Sequence, residues 1–437
     1  MATRRADRYR PVDRIEVWMW DEFVGACALD PGLGFYVFAY DRGFARTGIQ
    51  PAPLHMPVAD DERTFVFPTL PLDTYKRLPA LLADALPDDF GNALIDRWLA
   101  ERGVPRERIT ALDRLAYMGR RAMGALEFRP ARGPASRTAT AIELGELIGE
   151  ARKAVHGTWT DADDTRAALR AIIEVGTSAG GARAKAVVAW NPTTGAMRSG
   201  QLDAPAGFEH WLLKFDGVGA DRELGASRDY GRIEFAYHRM ARAAGIAMSD
   251  CRLLEENGRA HFMTRRFDRD GPTTRHHVQT LCAMDHLDFR RRGANAYAQL
   301  FLAMQRLGLP REDLVEAFRR MAFAVMARNC DDHTKNTAFL LRRGGNWRLA
   351  PAYDVTFAHN PTGEWTSQHL MGVNGRFRDH TAMDLMAEAD RFGIGEGKTI
   401  LAQVADAVAR WREFAREAGV AAEVVDAIAA QHRLLRR

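Results

Sequence analysis

The densest cluster of chemically capable side chains is Asn329-Cys-Asp-Asp-His-Thr-Lys-Asn336. It directly follows an amphipathic stretch, Glu312 to Asn329, in which Leu314, Phe318, Met321, Ala322 and Val325 share one helical face. It directly precedes a predicted hairpin: Thr337 to Leu341, a turn at Gly344-Gly345-Asn346, then Trp347-Arg-Leu349. The hairpin leads to Pro351-Ala-Tyr-Asp354. Asn336 stands where the first strand begins and Asp354 just beyond the end of the second. Antiparallel pairing therefore brings an amide oxygen and a carboxylate together, and both are hard donors suited to Mg²⁺. Asp331 can accept a proton from a hydroxyl, and Lys335 can offset charge on a phosphoryl group. Asp332 and His333 could instead be metal ligands. No second His–carboxylate pair at helix-face spacing accompanies them, which argues against a zinc hydrolase.

Asp331 lies five positions before Asn336. Protein kinases use that spacing in their catalytic loop, with a later Asp, here Asp354, on Mg²⁺. Such chemistry needs groups that hold nucleotide phosphates. Lys214 sits in a predicted strand, Trp211-Leu-Leu-Lys-Phe215, and Glu234 opens the predicted helix that follows, which Gly245 closes. A strand Lys paired with a helix Glu is how a kinase grips the nucleotide. Upstream runs Gly176-Thr-Ser-Ala-Gly180-Gly181-Ala-Arg-Ala-Lys185. The backbone N–H groups around Gly180 and Gly181 could cradle phosphate, with Lys185 as a further contact. Ala182 stands where a Walker A motif needs Lys, so this is not that motif.

The elements that must position these groups form a β-rich part followed by a helical part. Ile15 to Trp20 and Phe35 to Tyr40 read as strands, and Leu78 to Arg102 as helical. Gly119 to Leu126 reads as a glycine-bearing turn entering a strand. A polar helical stretch is expected near Ala141 to Ala154, and an acidic linker at Trp159 to Arg166. Strands are expected at Ala186 to Trp190, around Leu253-Leu254, and at His261 to Met263. Beyond Ala283 the pattern is mostly helical, apart from the hairpin.

Length and composition bound the class. The 437 residues suggest two or three folding units. A hydrophobic fraction of 46% and a net charge of +4 describe an ordinary globular chain and do not announce a nucleic-acid binder. Cys27, Cys251, Cys282 and Cys330 are scattered, which argues against a disulfide framework or a cysteine zinc site. No apolar run follows the basic N-terminus and none is long enough to span a bilayer, so a cytoplasmic location without membrane contact is expected.

Taken together, these motifs resemble the HipA family of bacterial serine/threonine kinases. Asp331-Asp-His-Thr-Lys-Asn336 is similar to its D-x-H-x-K-N loop, and Pro351-Ala-Tyr-Asp354 to its magnesium Asp. Ser178 to Lys185 is similar to its phosphate loop, Trp211 to Lys214 to its nucleotide-lysine strand, and Arg265-Arg-Phe-Asp-Arg269 to its R-F-D-R segment near the hinge. Leu86-Pro-Asp-Asp-Phe-Gly91 and Gly119 to Leu126 resemble its N-terminal motifs. The resemblance implies an α+β, protein-kinase-like two-lobe fold with an extra N-terminal β-rich subdomain. The expected division is an N-terminal unit over 1–135, a kinase N-lobe over 136–283 and a helical C-lobe over 284–437. It also implies ATP and Mg²⁺ as cofactors, and Ser178 as an autophosphorylated loop serine, with Thr177 the alternative acceptor. The implied partners are a protein substrate of translation, such as an aminoacyl-tRNA synthetase, and a small helix-turn-helix antitoxin that contacts DNA on its behalf.

Two other readings compete. One is a kinase-like scaffold that acts by docking, although docking does not require Asp331, Asn336 and Asp354 together. The other is a direct nucleic-acid binder using Arg265-Arg266 and Arg290-Arg291-Arg292, stretches that solvated faces explain more simply.

Overall fold

The structure, a computed structural model, describes residues 9–59, 64–87, 89–134, 185–201, 203–216, 229–256 and 258–435. Ser178, Gly180 and Gly181, the helix expected at 141–154 and the linker at 159–166 lie outside the described residues.

The N-terminal domain is an antiparallel sheet of β1 (Arg14–Met19), β2 (Glu22–Asp30), β3 (Phe35–Tyr40), β4 (Thr64–Phe65) and β5 (Leu126–Arg129), in the order β4-β3-β2-β1-β5. Along β1, Ile15, Val17 and Met19 alternate inward and are fully buried. The turn into β2 places Trp20 and Asp21 at φ of 54° and 67°, the left-handed pair of a tight hairpin. The helical region expected over Leu78 to Arg102 is two helices, Ala80–Ala83 and Asp89–Ala100. Pro87 separates them, since it lacks the N–H that a continuous helix would require.

A second antiparallel sheet follows: β6 (Lys185–Trp190), β7 (Met197–Ser199), β8 (Glu209–Lys214), β9 (Cys251–Glu256) and β10 (Arg259–Arg265), ordered β7-β6-β8-β10-β9. Trp211 and Leu213 of β8 face a small core with Val188, Trp190 and Met263. The alternate residues, Leu212 and Lys214, therefore face the other way. The helix Tyr230–Ala243 crosses that sheet. Gly231 makes this approach possible, because a Cβ there would overlap the Ala260 carbonyl oxygen.

The chain then forms β11 (Arg269–Asp270), β12 (Thr274–Arg275) and β13 (His277–Thr280) and turns helical, with a short β14 (Asn295–Ala296). The expected hairpin is present as β15 (Ala338–Leu341) and β16 (Trp347–Leu349), and β13 completes its sheet in the order β13-β15-β16. The long helix Arg311–Ala327 buries Leu314, Phe318, Met321, Ala322 and Val325, as its spacing predicts. Asp313 in its first turn accepts from Arg348 Nε at 2.8 Å and Leu349 N at 2.9 Å, which ties the helix to the hairpin. The result is the expected two-lobe arrangement with an added N-terminal domain.

The N-terminal domain is joined to the rest through a buried charge cluster. Asp268 is completely buried and accepts from Arg266 Nε (2.9 Å), Arg269 Nη1 (2.6 Å) and the Gly124 amide (2.7 Å). Arg269 and Arg275 in turn donate to the Gly124 carbonyl, each at 3.0 Å. Gly124 has φ +81°, and a Cβ there would lie 2.9 Å from Val278 N, so no other residue fits this approach. Burial alone would raise the Asp268 carboxyl, but Arg266 and Arg269 hold it well below the usual carboxylate range. Arg266 is thus a buried ion-pair partner, which removes it from any basic nucleic-acid surface. Asp268→Ala leaves two buried guanidinium groups without their counter-charge and is expected to cost about 3–5 kcal/mol. Denaturant unfolding checks this, and a change under 1 kcal/mol would show that the cluster does not hold the domains together.

Candidate active site

Three lysines from three separate elements converge on one cleft. Lys185 opens β6 and pairs in register with Lys214 at the end of β8. Lys335 arrives from the loop before β15. All three line a cleft with an empty volume, its mouth included, of about 1210 Å³. Glu234, Asn336 and Asp354 line it as well, as do Arg265, Arg266 and Phe267. Its lining also includes apolar residues such as Leu212, Phe262, Met248 and Val278.

Lys214 meets two carboxylates on this cleft. Its Nζ donates to Glu234 Oε1 at 2.5 Å and also contacts Asp354 Oδ1. The first carboxylate comes from the helix that Gly231 lets lie against β10, the second from just beyond the hairpin. Burial alone would weaken the ammonium, but Asp354 and Glu234 raise its pKa well above the ordinary lysine value. Burial acts against the Asp354 carboxylate too. Lys214 first, then Lys185, keeps it ionised far below the usual range. Asp354 has φ +53°, a left-handed conformation that Asp tolerates and that recurs at functional sites.

The loop Asn329 to Asn336 is held from several sides. The long helix ends at Arg328 in the left-handed region, φ +58°. Cys330 N then donates to Ala358 O (3.0 Å) and Ala358 N to Arg328 O (3.1 Å), which pins the loop to the segment after Asp354. Tyr353 Oη donates to the Lys335 carbonyl at 2.6 Å. Asn336 Nδ2 donates to the Asp331 carbonyl at 2.7 Å, which fixes its amide and leaves Oδ1 as the atom available to a cation. The Asp331 side chain is 46% exposed, open to an incoming hydroxyl, and His333 lies 3.8 Å from it.

Asp332 does something the sequence did not indicate. It is buried and accepts from Tyr297 Oη (2.9 Å), His369 Nδ1 (2.8 Å) and the Leu370 amide (2.7 Å). It therefore braces the loop from beneath and is not a metal ligand. His369 lies 37 residues onward, so no local spacing announces the pair. Among the described residues, no group of three His, Cys, Asp or Glu side chains is placed to hold a metal. One carboxylate and one amide, Asp354 and Asn336, are a donor set suited to Mg²⁺, which completes its shell with water and phosphate oxygens.

The structure thus brings together Lys185, Lys214, Glu234, Lys335, Asn336 and Asp354 on one cleft, with Asp331 beside it. Gly180, Gly181 and Ser178 are outside the described residues.

Comparison with known proteins follows the same division. The family model described as HipA-like C-terminal domain matches residues 177–431, and that described as HipA N-terminal domain matches residues 15–129. Among solved structures, HipA from the toxin–antitoxin complex of Shewanella oneidensis MR-1 HipA, HipB and operator DNA has a TM-score of 0.68 at 16% identity. That alignment covers 95% of this chain and 94% of the other. The Helicobacter pylori proinflammatory kinase CtkA aligns over 58% of this chain and 92% of its own, with a TM-score of 0.34 and 10% identity. No curated protein matches the sequence.

The brace under the loop carries a pH signature. Burial would lower the His369 pKa, but Asp332 and then Cys330 push it up to about 10. A folded-state pKa above the unfolded value of ~6.5 gives stability that is full below pH ~6.5. That stability is lost as pH rises through about 10. His369→Phe is expected to lower stability by about 3 kcal/mol at pH 6 and by progressively less toward pH 10. Unfolding curves across this range check the slope; a difference that does not shrink with pH would refute the assignment.

Proposed function

The chain belongs to the HipA family, and from that premise we propose that it is an ATP- and Mg²⁺-dependent protein serine/threonine kinase. The observation that carries the proposal is Lys214 of β8, held by Glu234 from the helix Tyr230–Ala243 and by Asp354 from beyond the hairpin, on a cleft that Lys185, Lys335 and Asn336 share. An enclosed set of three ammonium groups beside an amide oxygen and a carboxylate suits a nucleotide triphosphate and its cation.

In this reading apolar lining residues of the cleft contact the base. Lys214 binds the α- and β-phosphates, with Glu234 fixing its direction and Lys185 adding a contact. Gly180 and Gly181 belong to the loop that covers the phosphates. Lys335 faces the γ-phosphate. Asn336 and Asp354 hold Mg²⁺, which when bound neutralises charge on the phosphates. Asp331 orients the acceptor hydroxyl and takes its proton as the serine or threonine oxygen bonds to the γ-phosphorus. The bond from that phosphorus to the β–γ bridging oxygen breaks, and ADP leaves.

The family and the fold also support a toxin role. The substrate would be a protein of translation, such as an aminoacyl-tRNA synthetase. A small helix-turn-helix antitoxin would restrain the kinase and carry any contact with DNA. Ser178 is the proposed autophosphorylation site; a phosphate there adds about two negative charges beside the phosphate loop and would switch the enzyme off by repulsion.

The test is mass spectrometry of intact and digested protein after incubation with Mg·ATP, comparing wild type with Asp331→Asn. Wild type is expected to gain one phosphate on Ser178. The variant should still bind ATP but transfer about 10²–10⁴-fold more slowly. No gain from unphosphorylated, ATP-binding wild type would favour a scaffold. Asp354→Asn should remove the Mg²⁺ dependence of nucleotide affinity, which calorimetry with and without the cation measures.

A further inference from the structure

The N-terminal domain reaches into the cleft. Leu81, Asp84, Ala85, Met123 and Leu126 line it alongside the three lysines. Of these five, Asp84 alone carries a charge. It follows the helix Ala80–Ala83, and both its oxygens are used: Oδ2 accepts from the Thr280 amide at 2.7 Å and Oδ1 from the Thr280 hydroxyl at 2.8 Å.

Thr280 is where a brace on the catalytic loop begins. It is the last residue of β13 and pairs in register with Ala338, two residues past Asn336. The next two amides continue the contact, Leu281 N donating to Thr337 O at 2.8 Å and Cys282 N to Thr334 O at 3.1 Å. Thr334 Oγ1 donates to Leu287 O at 2.6 Å. The stretch 334–338, which contains Lys335 and Asn336, is therefore held by backbone groups of 280–287. That brace is fixed to the N-terminal domain again by Tyr75 Oη on Cys282 O (2.8 Å) and Thr74 Oγ1 on Asp288 (2.5 Å). Asp84 differs from these two anchors because it also faces the cleft. Burial leaves its carboxyl pKa raised, and Lys335 is the largest opposing influence, ahead of the Thr280 bonds.

We infer that Asp84 is a positioning residue, through which the N-terminal domain sets the catalytic loop, and Lys335 within it, against the nucleotide cleft. The inference rests on the proposed kinase reading of that cleft. An anchor that served folding alone would change stability and leave the catalytic rate per folded molecule unaltered. A positioning residue changes the transfer rate at saturating nucleotide and leaves nucleotide affinity nearly unchanged.

The experiment uses the full-length chain as wild type, Asp84→Ala, Asp84→Asn, Thr280→Val and Thr280→Ser. Autophosphorylation is followed at saturating Mg·ATP, affinity is measured with trinitrophenyl-ATP, and hydrogen exchange is recorded over 280–287 and 333–338. Asp84→Ala and Thr280→Val should transfer about 10- to 100-fold more slowly while affinity stays within about threefold. Thr280→Ser, which keeps the hydroxyl, should restore most of the rate, and Asp84→Asn should fall between. The Leu281, Cys282 and Asn336 amides should exchange faster in Asp84→Ala. Transfer and exchange equal to wild type would overturn the positioning role and leave the kinase reading intact. Affinity falling in step with rate, or no rescue by Thr280→Ser, would also overturn it. A wild type that binds nucleotide and transfers nothing would sink the kinase reading, and this inference with it.

Discussion

The structure turns on one buried ammonium group. Lys214 leaves a strand of one lobe and is met by Glu234 from a helix and by Asp354 from the far side of the cleft. Removing three charges from water is costly unless they satisfy one another, so Lys214 and its two carboxylates tie β8 to the helix Tyr230–Ala243 and to the end of the hairpin. Much of the surrounding architecture serves that meeting. Gly231 lets the helix carrying Glu234 lie against β10. The alternation along β8 turns Lys214 toward the cleft and sends Trp211 and Leu213 into the core. The left-handed backbone of Asp354 sits at the mouth of the hairpin that connects it to Asn336.

Around the loop Asn329 to Asn336 lies a set of supporting contacts. Asp332 gathers Tyr297, His369 and the Leu370 amide, while Tyr353 and Ala358 hold the loop from the other side. These hydrogen bonds hold the loop in place, and the Asn336 amide is fixed by its own bond to the Asp331 carbonyl. The exposed carboxylate and its buried neighbour differ by one residue in sequence and entirely in role. A polar loop of this kind is rigid because its polar atoms are satisfied from below.

Much of this was legible in the sequence for a physical reason. Asp331, Lys335, Asn336 and Asp354 are linked by a local element, a hairpin, whose turn and strand pattern could be read directly. The strand bearing Lys214 and the helix bearing Glu234 were equally visible as periodic segments, and the long helix buried the face its spacing indicated. What could not be read depends on contacts between distant segments. The Asp332–His369 pair spans 37 residues, the Asp84–Thr280 bonds span 196, and Gly124 meets Asp268 across 144. Arg266 looked like half of a basic patch although Asp268 stands two residues on, because the short spacing does not reveal that the pair is buried. The interruption at Pro87 was missed for the opposite reason: apolar residues continue on both sides, and the missing N–H matters only once a helix is attempted.

The seam between the N-terminal domain and the rest has a consequence for how such a chain can change over generations. Cys282 and Ala283, beside the loop Asn329 to Asn336, are packed in the core of the N-terminal domain, and the guanidinium groups of Arg269 and Arg275 close on Gly124 of that domain. The two matched halves, 15–129 and 177–431, therefore share one interior. Recombination that exchanged either half for that of a diverged relative would bring together charges and cavities that had never been selected as a pair. Substitutions at this seam should be inherited as matched sets across the chain, while the outer faces of both halves vary independently.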